Sequence, residues 1–205
     1  FKILLLIKYV IFKYIVFDNI RINIPAYFEW NPGTSANLRV SIISPEDYPT
    51  AQKIVQHWED QATHAIHNCR RETADCLDRF QDCAWVAGFA KQTMQGATPG
   101  DGTEVHLCLQ GNKPQGIATL TTSPLYEDHY LYMKDLVSNP ENIPCSANQS
   151  MRIRGTGTAL IGSSVQRSKE LGAKGVCVAP TPNAKAFYEK LGFEAKEGSF
   201  LLFKE

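Results

Sequence analysis

Arg152-Ile153-Arg154-Gly155-Thr156-Gly157-Thr158-Ala159-Leu160-Ile161 is the stretch on which the reading of this chain turns. Two glycines follow Arg152 at the third and fifth positions, so the backbone can bend tightly and approach a ligand closely. Thr158–Leu171 then places Leu160, Ile161 and Val165 at helical spacing, and Gly172 is the stop. The first N–H groups of such a helix lack intrahelical partners, and its end carries partial positive charge. An anion such as a pyrophosphate is favoured there. Arg152 and Arg154 would add charge-assisted hydrogen bonds to the same oxygens. Taken alone, the pattern also fits a glycine turn ahead of an ordinary helix.

A second segment narrows the choice. About 26 residues after Gly157 comes Asn183-Ala-Lys-Ala-Phe-Tyr-Glu-Lys-Leu-Gly-Phe-Glu194. In this order and spacing the pair resembles the Gcn5-related N-acetyltransferase (GNAT) family. Arg152–Gly157 matches that family's R/Q-x-x-G-x-G/A loop. Asn183 through Phe193 matches its Asn…Ala-x-x-Phe-Tyr-x-x-x-Gly-Phe segment, with Tyr188 as the tyrosine. The close resemblance runs from Leu131 onward, and a looser one reaches back to Leu38.

The resemblance implies an α/β chain with the acyl-CoA N-acyltransferase fold: a central mixed β-sheet, antiparallel at its start, flanked by helices on both faces. It implies acetyl-CoA as cosubstrate and transfer of the acetyl group to a primary amine on a small molecule or a protein. Arg152, Ile153, Arg154, Gly155, Thr156, Gly157 and Thr158 would hold the pyrophosphate, and bulk at Gly157 should block it. Leu136 and Val137 would lend main-chain groups to the pantetheine arm. Asn183 would contact the arm or simply cap a helix. Tyr188 would protonate the departing sulfur or pack against the cofactor. A P-loop is disfavoured, since no Gly-Lys-Ser/Thr follows the glycines. A Rossmann site is disfavoured because the third glycine is missing. A coenzyme-A-binding module without catalysis and a membrane-attached interaction protein are the rival readings.

Acetyl transfer asks little of a protein. It needs a positioned thioester, an unprotonated amine, a polarised carbonyl and a proton for the thiolate. A phenol with a pKa of about 10 can donate that proton at neutral pH. For the base, Asp135 is the acid within the strand ahead of the loop, with Glu127 and Asp128 just before it. A solvated Asp with a pKa of about 3.9 is a poor base and would act better through water. In a regular strand Tyr130 and Tyr132 fall on the face opposite Asp135.

Composition sets further bounds. The 205 residues suit one domain with an appendage, and 43% apolar residues suffice for a core. Lys+Arg and Asp+Glu balance at 21 each, so no field that draws in nucleic acid is evident. Six cysteines in this length do not suggest a disulfide scaffold. Cys69, Cys76 and Cys83 recur every seven residues; on one helix they would be too far apart to share a zinc ion and read as small apolar residues. His64, His67 and Cys69 fit no zinc spacing, so no metal is expected. A reduced, cytoplasmic compartment fits, and a homodimer is left open.

Residues 1–24 use nine residue types, nearly all with A/T-rich codons, and the chain begins with Phe. The expectation is a fragment or an upstream-extended frame whose leader is not native structure. Three lysines argue against a spanning helix, so no membrane role is expected, although an anchor or an extra strand or helix are the alternatives. Residues 25–36 read as a linker, and residues 37–205 as the N-acetyltransferase domain. There, Leu38–Ile42 alternates as a strand, and Ser44-Pro45 opens a helix to about Asn68. Glu72–Met94 forms a second helix that carries Leu77, Phe80, Cys83, Ala84, Ala87 and Phe89 with polar residues between. Glu104–Leu109 and Gln115–Thr121 form a hairpin, and His129–Val137 the next strand. Ser138–Met151 is an inserted surface loop. Gly175–Ala179, a short helix Ala184–Leu191 and a strand Ser199–Lys204 finish the chain.

Overall fold

Apolar alternation and glycine punctuation lay down the elements in the expected order. The computed structural model describes residues 13–17, 20–24, 28–30, 37–68, 74–98, 100–121, 130–143, 152–195 and 201–204. The strands are β1 (Lys13–Phe17), β2 (Ile20–Ile24), β3 (Phe28–Trp30), β4 (Leu38–Ile43), β5 (Thr103–Gln110), β6 (Lys113–Thr121), β7 (Leu131–Ser138), β8 (Gly175–Val178), β9 (Glu194–Ala195) and β10 (Leu201–Lys204). The helices are α1 (Tyr48–Asn68), α2 (Ala74–Gly96), α3 (Thr156–Glu170) and α4 (Lys185–Lys190). His129, the stretch Pro124–Asp128 with its candidate bases Glu127 and Asp128, and most of the Ser138–Met151 insertion lie outside the described residues.

Eight strands form one sheet in the order β3-β4-β5-β6-β7-β8-β10-β9, and β1-β2 is a separate antiparallel pair. Every neighbouring pair in the large sheet is antiparallel except β7–β8. A parallel pair needs a crossover, and α3 lies between those two strands in sequence. The sheet is therefore mixed, as expected. Within the stretch read as a linker, β3 pairs with β4 through Phe28↔Val40 and Trp30↔Leu38. An aromatic-rich run forms a strand readily despite the flanking prolines.

Helices cover both faces. On one, Ile54, Val55 and Trp58 of α1 and Ala87 and Met94 of α2 pack on Val105, Leu107, Ile117 and Val137. On the other, Ala159 and Leu160 of α3 meet Val40, Ala118, Leu120, Leu131 and Met133. Trp58 is wholly buried, and truncating such a side chain to Ala costs roughly 3–5 kcal/mol. No helix among the described residues is long and apolar enough to cross a membrane.

Local expectations change at four places. Pro45–Asp47 forms a 3₁₀ turn ahead of α1, and Ser44 caps no backbone N–H. Its hydroxyl instead donates to Glu46 Oε2 at 2.8 Å. Phe89, one of the apolar positions read on this helix, is 43% exposed, and Trp85 is 60% exposed. The small residues Ala87 and Ala90 make the buried contact of α2, which leaves residues 85 and 89, one turn apart, on another side. Asn183 does not cap α4; Ala184 holds the cap position, and the Asn183 amide donates to Asp82 Oδ2 at 3.1 Å.

The fourth change concerns the cysteines. Cys76 is disulfide-bonded, while Cys83, Cys108 and Cys177 are free thiols. Cys69 lies outside the described residues, while Cys76 and Cys83 both lie on α2. The bond also removes the ground for inferring a reduced compartment from cysteine usage.

Candidate functional site

The site begins with a break in register. β6 and β7 pair from Gly116↔Ser138 to Thr119↔Asp135, after which Leu120 faces Met133. Lys134 is thus an extra residue, a β-bulge that reverses which way later side chains point. Leu131 and Met133 lie in the core under α3, whereas Val137 lies in the core under α1 and α2. Asp135 falls on the α2 side, where Thr93 and Thr119 both donate to its Oδ2, at 2.9 and 2.5 Å. Tyr132, opposite Thr121, shares that face. The expected separation of Tyr130 and Tyr132 from Asp135 is thereby corrected, since it assumed a regular strand.

The ladder between β7 and β8 covers only Leu131–Met133 against Val176–Val178. β7 continues to Ser138, so its β8-facing edge from Lys134 onward has no strand partner among the described residues. Free backbone groups of this kind accept an extended ligand as a further strand would. Leu136 and Val137 lie on this stretch.

Beside the open edge stands the start of α3. Gly155 occupies the cap position at φ 90°, a left-handed conformation that suits glycine. The first intrahelical bond runs from Ala159 N to Gly155 O at 2.8 Å. The N–H groups of Thr156, Gly157 and Thr158 therefore have no intrahelical acceptor. Arg152 Nε and Thr156 Oγ1 are buried with no hydrogen-bond partner. Unpaired buried donors are costly, which suits them to an anion that fills their valences.

Gly157 has a different local reason for its size. A Cβ there would lie 2.9 Å from Phe187 Cζ. Its smallness lets α3 approach α4, so bulk at this position would strike the Phe187 ring. Gly116 does the same between β6 and α3: a Cβ there would stand 2.5 Å from Thr156 Cγ2.

A cleft of about 970 Å³ collects these groups. Of the residues singled out from the sequence, Asp135, Leu136, Val137, Arg152, Ile153, Arg154, Gly155, Thr156, Gly157, Asn183 and Tyr188 all line it; Thr158 does not. Trp85 and Phe89 form part of its wall, with ring centroids 4.8 Å apart and nearly perpendicular. From the sequence Phe89 is only one apolar position of a helix, because such residues look alike whether they face a core or a cleft. Sequence reasoning passed over Gly116, although a glycine inside a strand pattern is a signal of close backbone approach.

Electrostatics separate the two titratable candidates. Burial pushes the Asp135 carboxyl above its usual range, against the pull of the two threonine hydroxyls. Tyr188 is buried between Phe187 and Phe193, and burial, with the Asp135 charge, raises its phenol further above the ordinary range. The phenol thus keeps its proton while the carboxyl gains basicity. Cys83, also on the cleft wall, is pushed up to about 12 by burial and donates to Ser138 O at 3.5 Å, so it is an inert thiol.

No family model and no curated protein sequence matches the chain. Solved structures do. An acetyltransferase from Thermus thermophilus superposes with a TM-score of 0.52 at 15% identity, covering 84% of this chain and 99% of that one. A GNAT-family structure from Desulfovibrio desulfuricans gives a TM-score of 0.52 at 13% identity, covering 82% and 98%. At this identity the likeness concerns the fold, and the fold of this chain is that of the GNAT acetyltransferases, the acyl-CoA N-acyltransferase fold.

Proposed function

We propose that this chain transfers an acetyl group from acetyl-coenzyme A to a primary amine, with residues 37–205 as the unit that carries the activity. One observation supports the reading above the others: the open edge of β7 leads from the N-terminus of α3 to Asp135 and Tyr188 inside a single cleft. The residues present suit the cosubstrate. The α3 N-terminus with Arg152 and Arg154 would hold the pyrophosphate. The main chain at Leu136 and Val137 would pair with the pantetheine arm.

Acetyl-coenzyme A supplies the thioester. Asp135 takes the amine proton on Oδ1, because both threonine hydroxyls occupy Oδ2. The C–N bond then forms as the C–S bond breaks, and Tyr188 Oη gives its proton to the departing sulfur. Burial keeps the phenol protonated until the C–S bond breaks, and the proton that Asp135 takes up offsets the one given to sulfur. Trp85 and Phe89 offer aromatic faces at the cleft wall, which suits an amine carried on an apolar or aromatic body.

The test is calorimetric titration of the full chain with acetyl-coenzyme A, followed by thiol release over a panel of amines. Micromolar binding with amine-dependent release is expected. Binding without release over the whole panel would turn the reading into that of a coenzyme-A-binding module. Absence of binding by the folded chain would sink it.

A further inference from the structure

We infer that Asn142 and Gln115 are positioning residues for the anion-binding loop and act on it through the backbone N–H of Ile153. The inference rests on the reading of that loop as a coenzyme A site.

Ile153 N donates to Asn142 Oδ1 at 2.8 Å. A backbone N–H can only donate, so the Asn142 atom facing it must be the oxygen. The amide nitrogen then points the other way, and it donates to Gln115 Oε1 at 3.0 Å. No flipped arrangement satisfies both contacts. Both side chains are more than nine-tenths buried, Asn142 at 9% exposure and Gln115 at 5%. Water cannot readily replace either bond.

The far end of this relay is held firmly. Gln115 is the extra residue of a bulge, between the pairs Leu109↔Pro114 and Cys108↔Gly116. Its carbonyl faces the other neighbour strand and accepts from Asn139 N at 2.9 Å, one residue beyond the pair Gly116↔Ser138. Asn139 O in turn accepts from Asn142 N at 2.8 Å, and Asn139 Oδ1 accepts from Glu141 N at 3.0 Å. The short turn Pro140–Asn142 is therefore a bracket bolted to β6. Its outer arm grips Ile153, two residues before the left-handed Gly155 that opens α3. The bracket lies at the start of the segment that the sequence presents as an insertion of unknown role. Asn142 and Gln115 carry no charge, so their contribution to binding is to hold the loop in one conformation.

Loss of the bracket lowers the fraction of chains whose loop is ready for the anion. The loss should fall on the pyrophosphate end and spare the pantetheine edge, which belongs to β7. Asn142→Leu keeps approximate size and removes the acceptor. Gln115→Met leaves Asn142 on Ile153 and removes its anchor. The full-length variants are titrated with coenzyme A and with pantetheine, and amide hydrogen exchange is followed over residues 153–157. For Asn142→Leu we expect coenzyme A to bind about tenfold more weakly, the cost of an orphaned buried N–H. Pantetheine affinity should be unchanged, and exchange should accelerate in the loop but not in β6 or β7. Gln115→Met should show the same pattern at smaller size, and it carries the comparison if Asn142→Leu does not fold. Equal losses for the two ligands, or a loop whose exchange is unaltered, would overturn the inference. If the unaltered chain binds coenzyme A and both variants bind it equally well, the inference alone fails. If the unaltered chain does not bind it, the parent reading fails and takes the inference with it.

Discussion

Gly116→Ala asks for one methyl group where three atoms already stand. Its Cβ would lie 2.5 Å from Thr156 Cγ2, 3.0 Å from Leu160 Cδ1 and 3.1 Å from Val137 O. Carbon atoms settle at about 3.5–4.0 Å, so the shortfall against Thr156 is about 1 Å. Leu160 can swing its methyl aside. Val137 O belongs to the backbone of a central strand and cannot. Thr156 is β-branched, buried and in the first turn of α3, so relief comes from lifting that turn. Overpacking of this kind costs about 1–3 kcal/mol. For a chain of this size that corresponds to a fall in Tm of roughly 2–12 °C. The same lift moves the anion-binding N–H groups by about 1 Å, a displacement that can cost up to about 100-fold where geometry matters. Thermal melting and coenzyme A titration read the two effects separately. Thr156→Ser removes the obstructing Cγ2 and keeps the hydroxyl, so the double variant should recover most of both losses. The coupling in that cycle should reach about 1 kcal/mol or more. A single variant that melts and binds like the parent, or a double variant whose losses simply add, would refute the argument that Gly116 sets the seat of α3.

Three other expectations follow from the buried groups. Asp135→Asn should raise Tm and lower kcat by about 100-fold or more, since the raised pKa means that the ionised carboxylate costs stability at neutral pH while serving as the base; a lower Tm or an unchanged rate would count against it. His106 is fully buried, with Ser163 Oγ at 2.9 Å, Glu104 at 3.7 Å and Arg167 and Glu170 beyond, and burial lowers its pKa. The unfolded chain takes up a proton near pH 6.5 that the folded chain refuses, so stability present above about pH 6.5 is lost on acidification, at no more than about 1.4 kcal/mol per pH unit from this group; denaturant melts from pH 7.5 to 5 should show an acid limb that His106→Gln flattens, and identical limbs in both would discard the assignment. The disulfide at Cys76 predicts two fewer titratable thiols in denaturant without reductant than with it, and equal counts would show every cysteine reduced.

What was legible in the sequence is what one segment carries within itself. Arg152–Gly157 forms its turn and its free N–H groups from adjacent residues, and the strand–helix order follows from local alternation. The exposure of Phe89 and the bonding of Cys76 were not legible, because both are decided by how the folded chain packs and not by local pattern. The bracket of Gln115, Asn142 and Ile153 was invisible for the same reason: its bonds span 27 and 11 residues, and each member alone is an ordinary polar residue.

The bulge at Lys134 shows why such information matters most at the site. With strict alternation Leu131, Met133, Asp135 and Val137 share one face, and that face would lie under α3 with the first two. Asp135 would then sit among apolar side chains, far from Thr93 of α2. One extra residue opposite the Thr119–Leu120 step turns the strand over between Met133 and Asp135. The apolar half stays in the α3 core, where it continues the ladder to β8. The other half points its carboxylate at two hydroxyls from α2 and β6 and leaves its edge unpaired among the described residues beside the α3 N-terminus. Register depends on the partner strand, so no pattern within residues 131–138 could have disclosed it. The position of the candidate base and the opening of the cleft are thus two consequences of a single inserted residue.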